Sequence, residues 1–387
     1  MYDRGLLRTE RLARLQASMG AHDVEACLLF SESNVRYATG AVTMPVYSMS
    51  TFARCAVVAA DGPPILFEHP NSMHRVPGVD VRPMHAWEFF DDAQAEADVF
   101  AREAVAALRE LGVTGDRVAV DRLGAPGYLA LQANGLTLTD SSPVTQEARE
   151  VKTPQEVALF RMNGPIVVDA LGRFEAALAP GITERDLFAV YAQSVLGRGA
   201  EYLATNTVCS GPNTNPWRAE ATDRPIEAGD LVYIDTDTVG IEGCFFCVSR
   251  TFVCGGVEAA AEERATYQAA YEWVRGMTEL VRPGITCGEL ARVAPVVPER
   301  FRAQRYECMI HGAGLEEESP SVCHPQDAQS NPDREIRRDM VLVVETYMGE
   351  VGGSHGVKLG DVVLVTDDGP EVLAPYPYAR SFVPVGS

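Results

Sequence analysis

Long apolar runs are missing from this chain. A membrane-spanning helix needs roughly 18 or more consecutive apolar residues, and no stretch approaches that length, although apolar residues make up 46% of the chain. The first ten residues, MYDRGLLRTE, contain no apolar signal region and have the pattern of an amphipathic helix. These absences argue against a membrane partner and predict a cytoplasmic protein.

Basic residues are also scarce. The 387 residues include 33 Lys and Arg against 54 Asp and Glu, which gives a formal net charge of -21. A field of that sign repels nucleic-acid phosphates and anionic membrane surfaces. We therefore do not expect nucleic acid as a partner.

The cysteines lack the spacing of a disulfide framework. There are nine, an odd number, and they are scattered through apolar segments, which is typical of reduced core thiols. Cys244 and Cys247 match a C-x-x-C pattern, but no second pair accompanies them. On a strand their thiols would point to opposite faces, so the pattern does not favour a redox or zinc-knuckle site.

The length is sufficient for two domains with separate cores. Residues 1–150 alternate between helical and strand patterns, which predicts an α/β domain with a mixed sheet and covering helices. The predicted elements are helices at 6–19 and 92–111 and strands at 26–30, 55–59, 64–67 and 117–121.

A helix start marks the expected domain boundary. Thr153 can cap a helix, Pro154 suits its first position, and Glu156 can complete a capping box. We therefore expect a second domain over 151–387.

An internal repeat lies within this second domain. The segment PGITERDL at 180–187 is echoed by PGITCGEL at 283–290. This spacing is too long for a solenoid unit and favours two related α/β halves with a cleft between them. Coincidence remains the alternative, because P-G-h-T commonly separates helices.

Two aspartates form the strongest site signal. Asp235 and Asp237 lie one residue apart in the apolar segment LVYIDTDTVG, and side chains at i and i+2 leave a strand on the same face. Burying two like charges is costly unless a cation, a shared proton or a substrate compensates. The pair therefore predicts a site; the alternative is a solvated strand end.

The next segment predicts a hairpin beside this pair. Residues 240–243 resemble a turn and 244–252 a returning strand. That strand should bring Cys247, Ser249 or Arg250 next to the aspartates.

Two further groups complete a mixed set of oxygen and nitrogen donors. His311 precedes a glycine-rich turn, and Glu345 ends the apolar run 341–345. Such a set either holds a divalent metal or performs acid–base chemistry.

The order of these motifs resembles the creatinase, prolidase and aminopeptidase P superfamily, peptidase family M24. The segments that carry the resemblance are SGPN at 210–213, the Asp-x-Asp hairpin ending in SRTF at 249–252, HGAG at 311–314, Glu345, and GVKLGDVVLVT at 356–366. The resemblance implies a C-terminal pita-bread fold over 151–387, a creatinase-type N-terminal α/β domain, and a homodimer.

Departures from the peptidase pattern argue against proteolysis. Peptidases of the family have histidines where this chain has Trp217 and Glu317, and both histidines serve peptide binding or turnover. The Asn-Pro-Trp segment and the shortened His-Gly-x-Gly region instead resemble the dimethylsulfoniopropionate lyase branch. In that branch a carboxylate at the Glu317 position acts as base, near a tyrosine that matches Tyr306.

The metal positions are incomplete by the same comparison. Cys247 and Gly360 stand where the lyase branch has two of its six ligands, and Asp361 would face the other side of its strand. A thiolate can bind zinc or iron, so a five-ligand site remains open, but we expect no tightly bound metal. Its ligands would be Asp235, Asp237, Cys247, His311 and Glu345, and zinc, iron or manganese the candidate ions.

Without a metal the carboxylates need other compensation. His311 could be protonated, and Arg250 and Lys358 are cationic candidates; Lys358 stands where the family commonly has arginine. A cationic or amidine-like substrate would also fit, as creatinase and ectoine hydrolase suggest by resemblance.

These residues predict cleavage of a C–N, C–O or C–S bond in a small polar molecule. Glu317 is the expected base or nucleophile, and Trp217 an apolar or cation–π wall. The other expected catalytic residues are Tyr306, His311, Glu345 and Asp237; the other substrate-binding residues are Arg250, Lys358 and Asp235. Glu317 in a solvated turn, and Tyr306 and Trp217 as packing residues, are the structural alternatives. An Xaa-Pro peptidase and a catalytically silent binding module are the functional ones.

Overall fold

The computed structural model describes residues 2–42, 44, 46, 51, 53–89, 91–217, 220–327, 333–379 and 382. The chain divides into two compact units, 3–149 and 150–387, the second of which includes residues 1–2. Within the described residues, no helix has the length and apolarity to span a membrane.

The first unit is a mixed six-stranded sheet with helices, as the α/β pattern predicts. The strand order is β4-β3-β2-β1-β5-β6, with both parallel and antiparallel pairs. All six predicted elements are present, each end within two residues of its expected position. The elements are α1 Arg4–Ala21, β1 Ala26–Leu29, α2 Glu32–Thr39, β2 Cys55–Ala59, β3 Ile65–Glu68, β4 Asp80–Pro83, α3 Ala93–Glu110, β5 Arg117–Val120, α4 Ala125–Ala133, β6 Thr137–Asp140 and α5 Ser142–Glu150.

The second unit begins with the predicted capping box. Thr153 Oγ1 accepts a hydrogen bond from the Glu156 N–H, and Glu156 Oε2 accepts one from the Thr153 N–H at 2.9 Å. Together with Pro154 at the first helical position, these bonds start the helix α6 Pro154–Ala177. The other helices described in this unit are α7 Glu184–Leu196, α8 Ala261–Leu280 and α9 Cys287–Val293.

The sequence repeat is also a structural repeat. Thr183 caps α7 and Thr286 caps α9. Before each cap a glycine with positive φ donates its N–H to a strand-like segment, Gly181 to Ile226 and Gly284 to the Ile336 carbonyl. The same local structure thus occurs once in each half of the unit.

One eight-stranded sheet positions most of the predicted site residues. Its order is β14-β13-β15-β16-β12-β9-β8, and one more strand, β17, pairs with β16. Its strands are β8 Thr207–Ser210, β9 Leu231–Asp235, β12 Ser249–Val253, β13 Cys308–Ala313, β14 Glu317–Cys323, β15 Val341–Gly349, β16 Gly356–Thr366 and β17 Gly369–Val372. Glu345 was expected at a strand end, but it lies in the middle of β15, since the strand continues to Gly349.

The hairpin after the aspartates is present, but its returning strand is broken. The chain leaves β9 and joins a three-stranded sheet made of β7 Tyr202–Leu203, β10 Thr238–Val239 and β11 Phe245–Phe246. It then returns to the large sheet as β12. The break falls at Cys247 and Val248, where the Val248 N–H donates to the Thr236 side chain at 2.9 Å instead of to a neighbouring strand.

Candidate active site

The ammonium of Lys358 lies inside the cluster of predicted site residues. Lys358 is on β16, near the middle of the large sheet, and is fully buried. Its Nζ hydrogen-bonds to Oε2 of Glu345 and lies 3.5 Å from Oδ2 of Asp235. The chain itself therefore supplies a cation that compensates two buried carboxylates.

Gly360 contributes to this arrangement by lacking a side chain. It lies two residues after Lys358, on the same face of β16, and its register partners are Glu345 and Ser249. A Cβ at this position would come within 3.0 Å of the Glu345 Cβ and 3.2 Å of the Ser249 Oγ. A carboxylate side chain here would therefore require its neighbours to move.

Cys247 and Ser249 lie beside Asp235, as the hairpin predicts. Ser249 Oγ donates to Asp235 Oδ1 at 2.8 Å, and Cys247 Sγ is 3.2 Å from the same oxygen. Cys247 Sγ is also 3.8 Å from Oε2 of Glu345. The buried thiol thus links the two carboxylates that contact Lys358.

Arg250 does not join the cluster. Its register partner on β9 is Ile234, so its side chain leaves the opposite face of the sheet. There its Nη2 donates to Asp361 Oδ1 at 2.7 Å, and its guanidinium lies over the Tyr378 ring. This location does not fit the substrate-binding role expected for Arg250, whereas Asp361 faces away from the cluster as expected.

Asp237 approaches Asp235 by a route other than the expected one. Strand β9 ends at Asp235, and Asp237 has φ 25, so the two residues are not on one extended strand. Thr205 Oγ1 donates to Asp237 Oδ2 at 2.9 Å. Burial and the charge of Asp235 raise the pKa of Asp237 to about 7, so this carboxyl can carry or release a proton near neutral pH.

His311 on β13 is held as a cation. Its Nδ1 donates to the Gly312 carbonyl at 2.9 Å, and Nε2 lies 3.4 Å from Oε1 of Glu345. Nε2 is buried and has no hydrogen-bond partner among the described residues. Burial lowers the pKa of His311, but the Glu345 carboxylate more than offsets this and raises it to about 9.

The cluster is close to electrically balanced. Burial alone would raise the pKa of Glu345, but Lys358 and His311 lower it to about 2. Burial works against the charge of Lys358, yet Asp235 and Glu345 raise its pKa above the ordinary value. Lys358 and His311 therefore face the carboxylates of Asp235 and Glu345, and Asp237 is a third carboxyl group that can carry a proton near neutral pH.

Potential metal donors in this cluster form a partial site. Two groups of three have donor atoms within 4.8 Å of one another: Cys247, His311 and Glu345, and Asp235, Asp237 and Cys247. Burial and Asp235 hold the pKa of the Cys247 thiol well above its usual range, whereas a metal ligand must be a thiolate. Because Glu345 also binds Lys358, these residues fit a resident ammonium better than a tightly held divalent ion.

Glu317 and Glu318 begin β14 and face opposite ways. Glu318 is buried, where its Oε2 accepts from Lys152 at 2.8 Å and its Oε1 from the Leu315 N–H at 2.9 Å. Glu317 is exposed, and its charge contributes to raising the pKa values of both Tyr306 and His311. The base expected from the sequence is therefore an accessible carboxylate at the edge of the cluster.

Trp217 and Tyr306 form an aromatic pair over the same cluster. Their rings meet edge to face with centroids 4.6 Å apart. Lys358 Nζ lies 4.5 Å from the Trp217 ring and 4.4 Å from the Tyr306 ring, so the cation over these rings is the protein's own lysine. Trp217 remains 37% exposed and can still contact a ligand from the solvent side.

Asn215 is a site-supporting residue that the sequence analysis missed. Its Nδ2 donates to the carbonyls of Glu350 and Gly353 at 2.7 and 2.8 Å. Its Oδ1 accepts from the Tyr347 hydroxyl at 2.9 Å and from Gln304 at 3.0 Å. These bonds hold the segment that leads to Trp217, and the Asn-Pro-Trp sequence was the available signal.

The fold and the order of these groups along the chain point to one protein family. Residues 158–367 match the metallopeptidase family M24, and residues 11–151 match the creatinase/prolidase N-terminal domain. The chain belongs to family M24 and has that family's pita-bread architecture. It is an enzyme of the creatinase and M24 superfamily, a lyase or a hydrolase.

Two relatives of this chain differ in the reaction that their names specify. Dimethylsulfoniopropionate lyase DddP from Roseobacter denitrificans is 32% identical, covering 97% of this chain and 87% of the relative. The Xaa-Pro dipeptidase of Pyrococcus horikoshii is 23% identical, covering 95% of this chain and 97% of the relative. The prolidase of Thermococcus sibiricus superposes with a TM-score of 0.78 at 21% identity, over 96% of this chain and 98% of its own, which shows the shared fold.

Proposed function

We propose that this protein is a non-proteolytic enzyme that cleaves a C–N, C–O or C–S bond in a small cationic or zwitterionic molecule. The catalytic domain is 151–387, with 1–150 as the accessory N-terminal domain. The enzyme acts in the cytoplasm as a homodimer. The reaction depends on carboxylate acid–base chemistry and needs no resident metal.

The position of the Lys358 ammonium carries this proposal. It contacts Glu345 and lies near Asp235, two residues that the family resemblance makes metal ligands. A divalent metal ion would add positive charge to a space that already holds Lys358 and His311, and it would have to displace one of them. The resident lysine therefore supports a reaction that does not pass through a zinc, iron or manganese ion.

Lys358 also affects what can be inferred about the charge of the substrate. The sequence alone suggested that a cationic ligand must balance the buried carboxylates, but Lys358 and His311 already do so. Support for a cationic group now comes from the exposed Glu317 and the accessible part of Trp217. It also comes from the lyase relatives, whose name specifies a sulfonium and a carboxylate in one molecule.

We infer that Glu317 acts as the base, which its exposed position at the start of β14 supports. In an elimination, its carboxylate takes a proton from the carbon next to the one that bears the leaving group. The C–H electrons form the new double bond, and the C–X bond breaks with its electrons leaving on X. Tyr306 and the protonated His311 orient the substrate or donate a proton to the leaving group.

Two alternatives remain as outcomes of experiment. The Xaa-Pro dipeptidase relatives favour peptide hydrolysis, but Trp217 and Glu317 replace the histidines that the peptidase pattern requires. A catalytically silent binding module would retain the fold without turnover. In a binding module of this kind, the buried ion pairs around Lys358 would serve only to stabilise the fold.

A substrate panel after metal removal tests the proposal. Protein treated with a chelator would be incubated with sulfonium and quaternary-ammonium zwitterions, amidine compounds and Xaa-Pro dipeptides, and products measured by mass spectrometry. We expect cleavage of at least one small zwitterion or cation, unchanged by the chelator, and no dipeptide hydrolysis. Dipeptide hydrolysis that the chelator abolishes would establish the peptidase alternative instead.

A further inference from the structure

We propose that Cys308 and Cys323 form a reversible disulfide that links strands β13 and β14 and thereby lowers the activity of the site. All nine cysteines are reduced in the structure, and seven are buried. The two that retain partial exposure are Cys308 and Cys323. The accessible thiols are therefore the two members of a single cross-strand pair.

The backbone places these two residues opposite each other. Cys308 on β13 is the register partner of Cys323 on β14, and the adjacent His324 N–H donates to the Glu307 carbonyl at 3.0 Å. That bond makes the cysteines a non-hydrogen-bonded pair, for which the Cα separation is about 4.5 Å. Such a separation is within the range that a disulfide spans, roughly 4.4 to 6.8 Å.

Side-chain geometry supports the same conclusion. Paired residues on antiparallel strands project to the same face. The Cys308 thiol donates to the Ile310 carbonyl at 3.2 Å, and it also lowers the pKa of Cys323, although burial raises that pKa overall. A register shift follows immediately, between Cys308 and Ile310, and such irregularities give strands local freedom to bend. The two sulfurs can therefore approach each other through a local bend of β13 next to Cys308.

The oxidant is a low-molecular-weight disulfide such as glutathione disulfide. The Cys323 thiolate attacks one sulfur of glutathione disulfide, forming a mixed disulfide and releasing one glutathione thiolate. The Cys308 thiolate then attacks the Cys323 sulfur and releases the second. Two protein thiols become one disulfide, and one glutathione disulfide becomes two glutathione thiols.

The environment makes this reaction slow and pH-dependent. Burial and Glu345 raise the pKa of Cys308, and burial raises that of Cys323. Thiolates are therefore scarce at neutral pH, which slows the exchange with the oxidant. Oxidation should accelerate as the pH rises.

Closing this bond affects the proposed catalytic groups. Tyr306 precedes Cys308 by two residues, and Glu345 and Glu317 both influence the Cys308 thiol electrostatically. The two strands that the disulfide would join carry His311 and Glu317. Because small displacements of catalytic groups cost large factors in rate, we expect oxidation to lower activity about tenfold or more, an effect that rests on the proposed function.

Peptide mapping tests the site independently of activity. The full-length protein would be equilibrated with graded ratios of glutathione disulfide to glutathione, alkylated, and digested with a protease that cuts after glutamate, because residues 309–322 contain glutamates but no Lys or Arg. We expect one linked peptide pair, Cys308 to Cys323, that dithiothreitol reverses. Cys323→Ser should abolish the link, whereas Cys27→Ala, which removes a buried cysteine of the other unit, should retain it.

The outcomes separate the parts of the proposal. No linked peptide at any ratio, or another pair that oxidises first, would overturn the site. A complete Cys308–Cys323 link with unchanged turnover of a zwitterion found in the panel would show that the disulfide does not control activity. A link with reversible loss of turnover supports both.

Discussion

Replacing Lys358 with methionine is expected to destabilise the protein by about 3–5 kcal/mol, the usual cost of leaving a buried charge without its partner. Methionine has a similar length but provides no charge for Glu345 and Asp235, which are both buried beside the ammonium. The pKa of Glu345 should rise from about 2 because its first counter-charge is lost. The measurement is the free energy of unfolding in urea at neutral pH, with a chelator present.

The control for this variant removes an exposed positive charge from the same unit. Arg338→Met changes the net charge equally, but the Arg338 side chain is 63% exposed and pairs with Asp367 at the surface. We expect that variant to change stability by less than about 1 kcal/mol. If Lys358→Met and Arg338→Met were equally stable, the lysine would not be the cation on which the cluster depends.

Replacing Glu317 with glutamine is expected to lower turnover about 100- to 10,000-fold, the range lost when a general base is removed. Glutamine keeps the size of the side chain but cannot accept a proton from carbon. Glu317 is exposed at the start of β14, so the melting temperature should hardly change. Initial rates would be measured with whichever small molecule the panel identifies as a substrate.

Neighbouring glutamates provide matched controls. Glu316→Gln removes a charge next to Glu317, and we expect it to retain most of the activity. Glu318→Gln should instead lower stability, because Glu318 is the buried partner of Lys152. Full activity in Glu317→Gln would eliminate this residue as the base and leave Asp237, with its pKa near 7, as the next candidate.

Local signals in the sequence predicted much of the architecture. The capping box at Thr153 and Glu156, the repeat around Gly181 and Gly284, and the N-terminal elements all occur where their patterns indicate. These features depend on residues that are close in the sequence, so the local sequence is sufficient to predict them. The pita-bread fold of the second domain was predicted from the family resemblance.

Long-range pairing limited the prediction of the site. The sequence offered Arg250 and Lys358 equally as the internal cation. In the structure their side chains leave opposite faces of the sheet. Lys358 shares a face with Gly360, whereas Arg250 follows Ser249 and faces the other side. Asp237 was placed on a strand because nothing in its neighbourhood signals the positive φ that ends β9.

Metal uptake shows whether Lys358 is the resident cation of this site. Wild-type protein and Lys358→Met would each be incubated with zinc, iron and manganese, freed of unbound ions, and measured by inductively coupled plasma mass spectrometry. We expect no stoichiometric metal in the wild type. We expect uptake in Lys358→Met, where the donors of Asp235, Cys247, His311 and Glu345 lose their ammonium. Stoichiometric metal bound by the wild type would show that Lys358 does not exclude a metal ion, and metal-assisted lyase or peptidase chemistry would then be expected at this site.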